Sequence, residues 1–201
     1  MTPLFRRRIV AIAVAGCAAV AALPSSAAGT SSVYSRAEGK TCRKAPDSVP
    51  EEHETVIERC PGVAGFTVIT AYAGTSVRIA IEFRGTEARD EWRLGTGYGV
   101  GSRIEWRGSR DGGIFRPQSG IIRLLSRDDN GKVVSVLAVF RVDGRLACPA
   151  AWLDVAATPD ANAVARRVAD GEVVAFKCGS DKPRIVGQQT DLVKDIAARS
   201  Q

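Results

Sequence analysis

The chain has 201 residues, with 28 basic side chains, 22 acidic side chains and one histidine, so its formal net charge is +6. Three of the arginines lie in the N-terminal segment described next; without them 25 basic residues face 22 acidic ones, a net charge of about +3. So small an excess argues against a nucleic-acid partner, and the length favours a single domain.

Residues 1–28 have the pattern of a bacterial secretion signal. Three arginines at 6–8 precede an uncharged apolar run over 9–23, and small residues lead to Ala28. The apolar run is about 15 residues long, whereas a membrane-crossing helix needs roughly 20. We therefore predict cleavage near Ala28 and an exported protein, periplasmic or secreted, without a membrane span. The alternative is an uncleaved signal that stays as an anchor.

Two other processing routes start from the same segment. The sequence that ends at Cys17 resembles a lipobox, in which Cys17 would carry a lipid and anchor the protein to the envelope. The apolar run continues past Cys17 to Leu23, which favours the later cut. Residues 6–10 also resemble a twin-arginine signal, but Phe5 stands where a polar residue is usual.

Four cysteines remain after residues 1–28 are removed: Cys42, Cys60, Cys148 and Cys178. An even number of cysteines in an exported chain predicts two disulfides, for which three pairings exist. We expect Cys42 with Cys60 and Cys148 with Cys178, because the members of each pair are near in sequence. No Cys-x-x-Cys motif is present, so a metal site is not expected.

The N-terminal half predicts a lead-in, a strand pair and a loop. Residues 29–40 contain few large apolar side chains and predict a flexible lead-in to a single domain over 41–201. Residues 66–83 alternate apolar and polar side chains around a short turn and predict two paired strands. Glycines crowd 95–101, but Val100 stands where the dinucleotide-binding pattern needs glycine. We therefore predict a mobile loop there and no cofactor.

The clearest pattern lies beyond residue 120. Strands over 121–127, 132–142 and 145–155 are separated by Asn-Gly and Asp-Gly pairs, which favour tight hairpins. A helix is predicted from Thr158, as its cap, to Cys178, with Gly171 as the point at which it could break. The predicted fold is α+β: an antiparallel sheet that includes this C-terminal three-stranded meander, one long C-terminal helix packed on it, and two disulfides.

Few residues could carry chemistry. His53, the only histidine, lies in the acidic run 51–54, and neither a Ser-His-Asp triad nor a Cys-His pair can be assembled without it. Catalysis by histidine is therefore not expected.

Ten arginines between 78 and 127 are interspersed with acidic residues and predict a solvated surface of mixed charge.

A repeated Glu-Trp-Arg tripeptide offers the one candidate site. It contributes Glu91 with Trp92, and Glu105 with Trp106. Two carboxylates beside rings that could stack on a sugar would suit a carbohydrate-cleaving hydrolase. The alternatives are a binding surface made of the same four residues, or ordinary strand positions with packed tryptophans.

Several segments resemble a family of small secreted proteins of alphaproteobacteria. They are Ile104 to Gly108, Cys148 with Pro149, Ala157 to Ala163, and Lys182 to Gly187. The resemblance covers most of the chain after the signal and implies export and the order of strands and helix. No activity is established for that family, so the resemblance implies no role for any residue.

Together these observations predict an exported, non-enzymatic domain without cofactor that binds another envelope protein or a cell-wall component. Two alternatives stay open. One is a carboxylate-based hydrolase that acts on a cell-wall or carbohydrate substrate, and the other is a structural lipoprotein anchored through Cys17.

Overall fold

The computed structural model of the chain describes residues 29–44, 55–74, 76–84 and 99–199. These residues form a mostly β structure in which two sheets pack face to face and two short helices cover parts of the larger sheet. The strands are β1 Ser31–Arg36, β2 Arg43–Lys44, β3 Thr55–Pro61, β4 Phe66–Ala73, β5 Ser76–Phe83, β6 Gly99–Asp111, β7 Ile114–Arg127, β8 Val133–Asp143, β9 Leu146–Asp154 and β10 Arg184–Ile185. The helices are α1 Ala161–Asp170, a 3-10 turn Glu172–Ala175, and α2 Asp191–Ala198.

The larger sheet has the strand order β1-β6-β7-β8-β9-β10, and the smaller sheet has the order β2-β3-β4-β5, counted over the described residues. Neighbouring strands are antiparallel except β9 and β10, which run parallel. The chain therefore begins its described part at the edge of the larger sheet, makes the whole smaller sheet, and then returns to complete the larger one.

Two apolar layers hold the structure together. The layer between the sheets is built around Trp106, Phe140 and Trp152, all fully buried. The second layer lies under α1, where Ala165 and Val168 of the helix pack with the outer face of the larger sheet. Strand β8 contributes to both layers, which explains why it is apolar on both faces.

The predicted α+β fold is wrong, and its C-terminal meander is only part of the larger sheet. β8 and β9 lie near their predicted bounds and β7 begins earlier than predicted, at Ile114, while β6 and β1 extend the same sheet on one side and β10 extends it on the other. β6 joins β7 through the two-residue turn at Gly112 and Gly113, a hairpin signal that the prediction did not use. β1 and β10 are distant in sequence from the strands they pair with, and turn signals do not reveal such partners.

The single long helix predicted from Thr158 to Cys178 is also wrong. Helix α1 ends at Asp170, and Gly171 has a φ of −106° and a ψ of −88°, outside the helical region. A 3-10 turn follows, so Cys178 lies beyond both elements. Glycine weakens a helix interior because its backbone loses more freedom on folding than that of other residues.

The segment expected to be a flexible lead-in contains a strand. Ser31–Arg36 forms β1 and pairs along its whole length with β6, from Ser31 opposite Gly108 to Arg36 opposite Arg103. The segment gave no apolar alternation because the face of β1 that carries Val33 also carries Ser31 and Ser35, and no residue of β1 is fully buried.

Both disulfides are present in the expected pairing. Cys42–Cys60 joins β2 to β3, and Cys148–Cys178 joins β9 to the segment after the 3-10 turn. Their ring closures span 18 and 30 residues respectively, and both restrict the unfolded chain. Among the described residues, neither helix is long and apolar enough to cross a membrane.

Candidate functional site

The chain crosses from the larger sheet to the smaller one at a corner between β1 and β2. Ala37, at the crossing, is fully buried; its N–H donates to the Ser102 carbonyl at 3.1 Å, and its carbonyl accepts from the Thr70 hydroxyl at 3.1 Å. The Cys42–Cys60 disulfide fastens the other end of the crossing. Hydrogen bonds and a covalent bond therefore fix the backbone of this corner.

Two open depressions lie at this corner and share Thr41, Pro61 and Gly62. The β1 depression has a volume of about 400 Å³ and is bordered further by Tyr34, Ser35, Arg36 and Arg103. The β3 depression has a volume of about 490 Å³ and is bordered further by residues that include Arg43, Arg59 and Phe66.

Both depressions include Gly62, which we call the shared floor, and no larger residue fits at this position. A Cβ atom at this position would lie 2.7 Å from the Phe66 carbonyl oxygen and 3.2 Å from the Trp106 ring. The Gly62 N–H donates to that same carbonyl at 2.9 Å. The buried Trp106 ring therefore lies directly beneath the floor that the two depressions share.

Each depression carries a cross-strand pair of arginines. Arg36 lies opposite Arg103 in the β1–β6 register, and Arg43 lies opposite Arg59 in the β2–β3 register. Directly opposed residues share a face with their Cβ atoms about 4.5–5.5 Å apart, and like charges there are destabilising.

Only one of these four arginines has a carboxylate partner within the described structure. Arg59 donates to Glu82 at 2.8 Å. Arg36, Arg43 and Arg103 are exposed, and none forms an ion pair with a described residue. Three arginines without a carboxylate partner in the described part of the chain therefore border the two depressions.

A network of ions flanks the β1 depression on the helix side. We define it by Ser32, Glu105, Arg107, Arg166 and Asp170. Arg166 of α1 donates to both carboxylate oxygens of Glu105, with Nε 2.8 Å from Oε1 and Nη2 3.0 Å from Oε2. The Ser32 hydroxyl donates to Glu105 at 2.6 Å. Arg107 donates to Asp170 through two nitrogens, with Nε 2.8 Å from Oδ1. Its Nη1 also lies 3.3 Å from Oε1 of Glu105. The network therefore ties α1 to strands β1 and β6.

The electrostatics of the network keep Glu105 ionised. Burial alone would raise the pKa of the Glu105 carboxyl, but hydrogen bonds from Arg166 and Ser32, together with the charges of Arg166 and Arg107, lower it below its ordinary value. The pKa of Arg107 is raised chiefly by its hydrogen bond to Asp170. The pKa of Arg166 is raised chiefly by its hydrogen bond to Glu105, with a smaller effect from Tyr34, which Arg166 also contacts.

The structure separates Glu105 from Trp106 in the described copy of the repeated tripeptide. Glu105 and Trp106 are neighbours on β6, so their side chains point to opposite faces of the sheet. Trp106 is fully buried and packs against the tilted ring of Phe66 and, edge-on, against Phe140, with ring centroids 5.7 and 5.4 Å away. It therefore supports the depressions from below and does not face a ligand.

Glu105 is not suited to act as a general acid. Such a group must hold a proton near the working pH, which a lowered pKa opposes. Glu91, Trp92, His53 and Cys17 lie outside the described residues. The hydrolase and lipid-anchor alternatives that involve them stay predictions.

Sequence reasoning missed Tyr34, Arg36 and Thr41 because they lie in or beside the segment expected to be flexible. The signal that could have found them is the sequence Val-Tyr-Ser-Arg at 33–36, in which a β-branched residue and an aromatic one favour a strand. It also missed Arg103, which was counted among the ten interspersed arginines, because its register partner lies 67 residues earlier at Arg36.

No protein-family model, curated protein or solved structure matches this chain. The resemblance to a secreted family of alphaproteobacteria therefore stays a prediction. In the parts of the chain that the structure describes, no group of three or more His, Cys, Asp or Glu side chains is placed to hold a metal ion.

Proposed function

We propose that this chain is an exported, non-enzymatic binding domain that holds an anionic component of the cell envelope at the β1–β2 corner. The observation that carries the proposal is the Arg36–Arg103 pair. The two arginines are register partners on neighbouring strands, and both border an open depression without a described carboxylate partner. A bound anion would offset the repulsion, since guanidinium groups bind carboxylate and phosphate oxygens in a bidentate manner.

The contrast with the nearby ion network supports this choice. Arg107 and Arg166 lie on the same side of the sheet, but each is already engaged with Asp170 or Glu105. Arg36 and Arg103 thus differ from Arg107 and Arg166 in having no carboxylate partner among the described residues. The rigid corner supports binding further, because a ligand pays less to order a surface that is already held by a disulfide.

The test measures co-sedimentation of the purified chain with isolated peptidoglycan, whose peptides carry carboxylates, over a range of salt concentrations. We expect retention that falls with salt. The double variant Arg36→Gln with Arg103→Gln should lose at least about tenfold in affinity, because charge-assisted hydrogen bonds are worth roughly 1.5–3 kcal/mol each.

A matched control keeps the same change in net charge. Arg110 of β6 and Arg116 of β7 are exposed arginines near the turn that joins these two strands, where Arg116 pairs with the exposed Asp111 at 3.3 Å. Their joint replacement by Gln should change retention no more than about twofold, as expected for rim charges. Equal losses in both double variants, or no retention of the unmodified chain, would contradict the proposed site.

A further inference from the structure

The two depressions carry separate positive charges but share one floor. Arg36 and Arg103 border the β1 depression, Arg43 and Arg59 border the β3 depression, and Gly62 belongs to both. A ligand with a single anionic group could engage one pair only. A chain with repeated anionic groups could cross the shared floor and engage both pairs, which raises affinity without new kinds of contact.

The uncharged lining is that of a sugar-binding surface. Tyr34 is 53% exposed although it is a large aromatic residue. Thr41 and Pro61, which are also exposed, lie in both depressions. Aromatic rings offer an apolar face to the C–H groups of a sugar ring, and hydroxyl groups exchange hydrogen bonds with its hydroxyls. An inorganic polyanion would make no use of the ring.

We propose that the two depressions are consecutive subsites for an acidic polysaccharide whose sugar units carry carboxylates. This inference rests on the proposed function and assigns its ligand class. Arg36 and Arg103 bind the carboxylate of one unit, and Tyr34 stacks on a sugar ring of the same chain. Arg43 binds a carboxylate further along the chain, while Arg59 contributes less because Glu82 already accepts from it at 2.8 Å.

The experiment is calorimetric titration of the purified chain with galacturonate probes. Galacturonic acid monomer and an oligomer of about six units provide the same carboxylate once or repeatedly. We expect the oligomer to bind at least about 100-fold more tightly than the monomer, as joined subsites predict. Methyl-esterified oligomer of the same length, which lacks the charges, should bind more weakly by a similar factor.

Single variants separate the subsites. Arg43→Gln should weaken oligomer binding about tenfold and leave monomer binding unchanged, because the monomer occupies the Arg36–Arg103 subsite. Arg110→Gln is the control of equal charge and should change neither. Tyr34→Ala should weaken oligogalacturonate about tenfold and leave polyphosphate of equal charge unchanged, whereas Tyr34→Phe should keep the binding of the sugar chain. Circular dichroism of each variant verifies that it is folded.

The outcomes distinguish this inference from the proposed function. Equal affinity for monomer and oligomer would overturn the two-subsite arrangement but leave a single anion site in place. Polyphosphate that binds as tightly as the sugar chain, together with no effect of Tyr34→Ala, would overturn the assignment to a polysaccharide. If the double variant Arg36→Gln with Arg103→Gln bound every probe as tightly as the unmodified chain, both proposals would be overturned.

Discussion

The indole nitrogen of Trp106 donates a hydrogen bond to the hydroxyl oxygen of Ser35 at 2.8 Å. Trp106 belongs to the core between the sheets, whereas Ser35 borders the β1 depression. This bond couples the edge strand β1 to the central aromatic cluster. The shape of the candidate site therefore depends on a residue that no ligand can reach.

Replacement of Ser35 by Ala should reduce the free energy of unfolding by about 1–3 kcal/mol, because a buried indole N–H would lose its acceptor. Ser31→Ala is the matched control on the same strand, since the Ser31 hydroxyl makes only a long contact of 3.4 Å with the Gly108 carbonyl. Its replacement should cost less than about 0.5 kcal/mol. Urea unfolding of both variants measures the difference; equal losses would show that Trp106 does not depend on Ser35.

The Glu105 network should make stability depend on pH. Because folding lowers the pKa of Glu105 below 4.5, its ionised form stabilises the folded state fully above that value, and the contribution is lost as the pH falls through the lowered pKa. Glu105→Gln should cost about 1–3 kcal/mol at neutral pH, since Arg107 and Arg166 lose a charged partner.

The difference between the unmodified chain and Glu105→Gln should then shrink in strongly acidic solution. Glu172→Gln is the control, because Glu172 pairs with Arg184 at the surface, where ion pairs contribute little. Urea unfolding at several pH values provides the measurement. A difference that stays constant from neutral to strongly acidic pH would refute a role for the ionised carboxylate.

How far the sequence predicts this molecule depends on the range of each interaction. The Asn-Gly and Asp-Gly hairpins and both disulfides were predictable, because each joins segments that are near in sequence. The pairing of β1 with β6 was not, since Ser32 and Arg107 are 75 residues apart and neither strand has a turn that leads to the other. The predicted fold class failed because it lacked this long-range pairing and because the predicted long helix ends at Asp170.

The prediction of the candidate site failed because it too depends on pairing between distant segments. Arginines spread along a chain look like an ordinary charged surface, and only the register places Arg36 opposite Arg103. Glu105 was identified as a candidate from its neighbour Trp106, but alternation along a strand puts the two on opposite faces. The fully buried Trp106 and the engaged carboxylate support the surface that the candidate site uses.

Gly120 should be sensitive to the smallest side chain. It lies opposite Phe140 in the β7–β8 register, and a Cβ atom there would lie 2.2 Å from the end of the phenyl ring. Gly120→Ala should destabilise the protein by about 1–3 kcal/mol through overpacking. Gly99→Ala, where the nearest atom of Leu125 is 3.9 Å away, should cost far less. Thermal unfolding that shifts equally in the two variants would contradict this packing.

Arg36→Gln should have opposite effects on stability and on binding. Removing one of two opposed like charges relieves repulsion, so the free energy of unfolding should rise by about 0.2–1 kcal/mol. The same change should weaken retention on peptidoglycan, because the anion loses one of its two guanidinium partners. Arg103→Gln should have the same effects on stability and on retention, because Arg103 is the register partner of Arg36. Urea unfolding and co-sedimentation of the same protein preparations measure both effects. If these arginines served the stability of the fold, replacing either one would lower the free energy of unfolding. A fall in the free energy of unfolding for both variants would therefore contradict a role in binding.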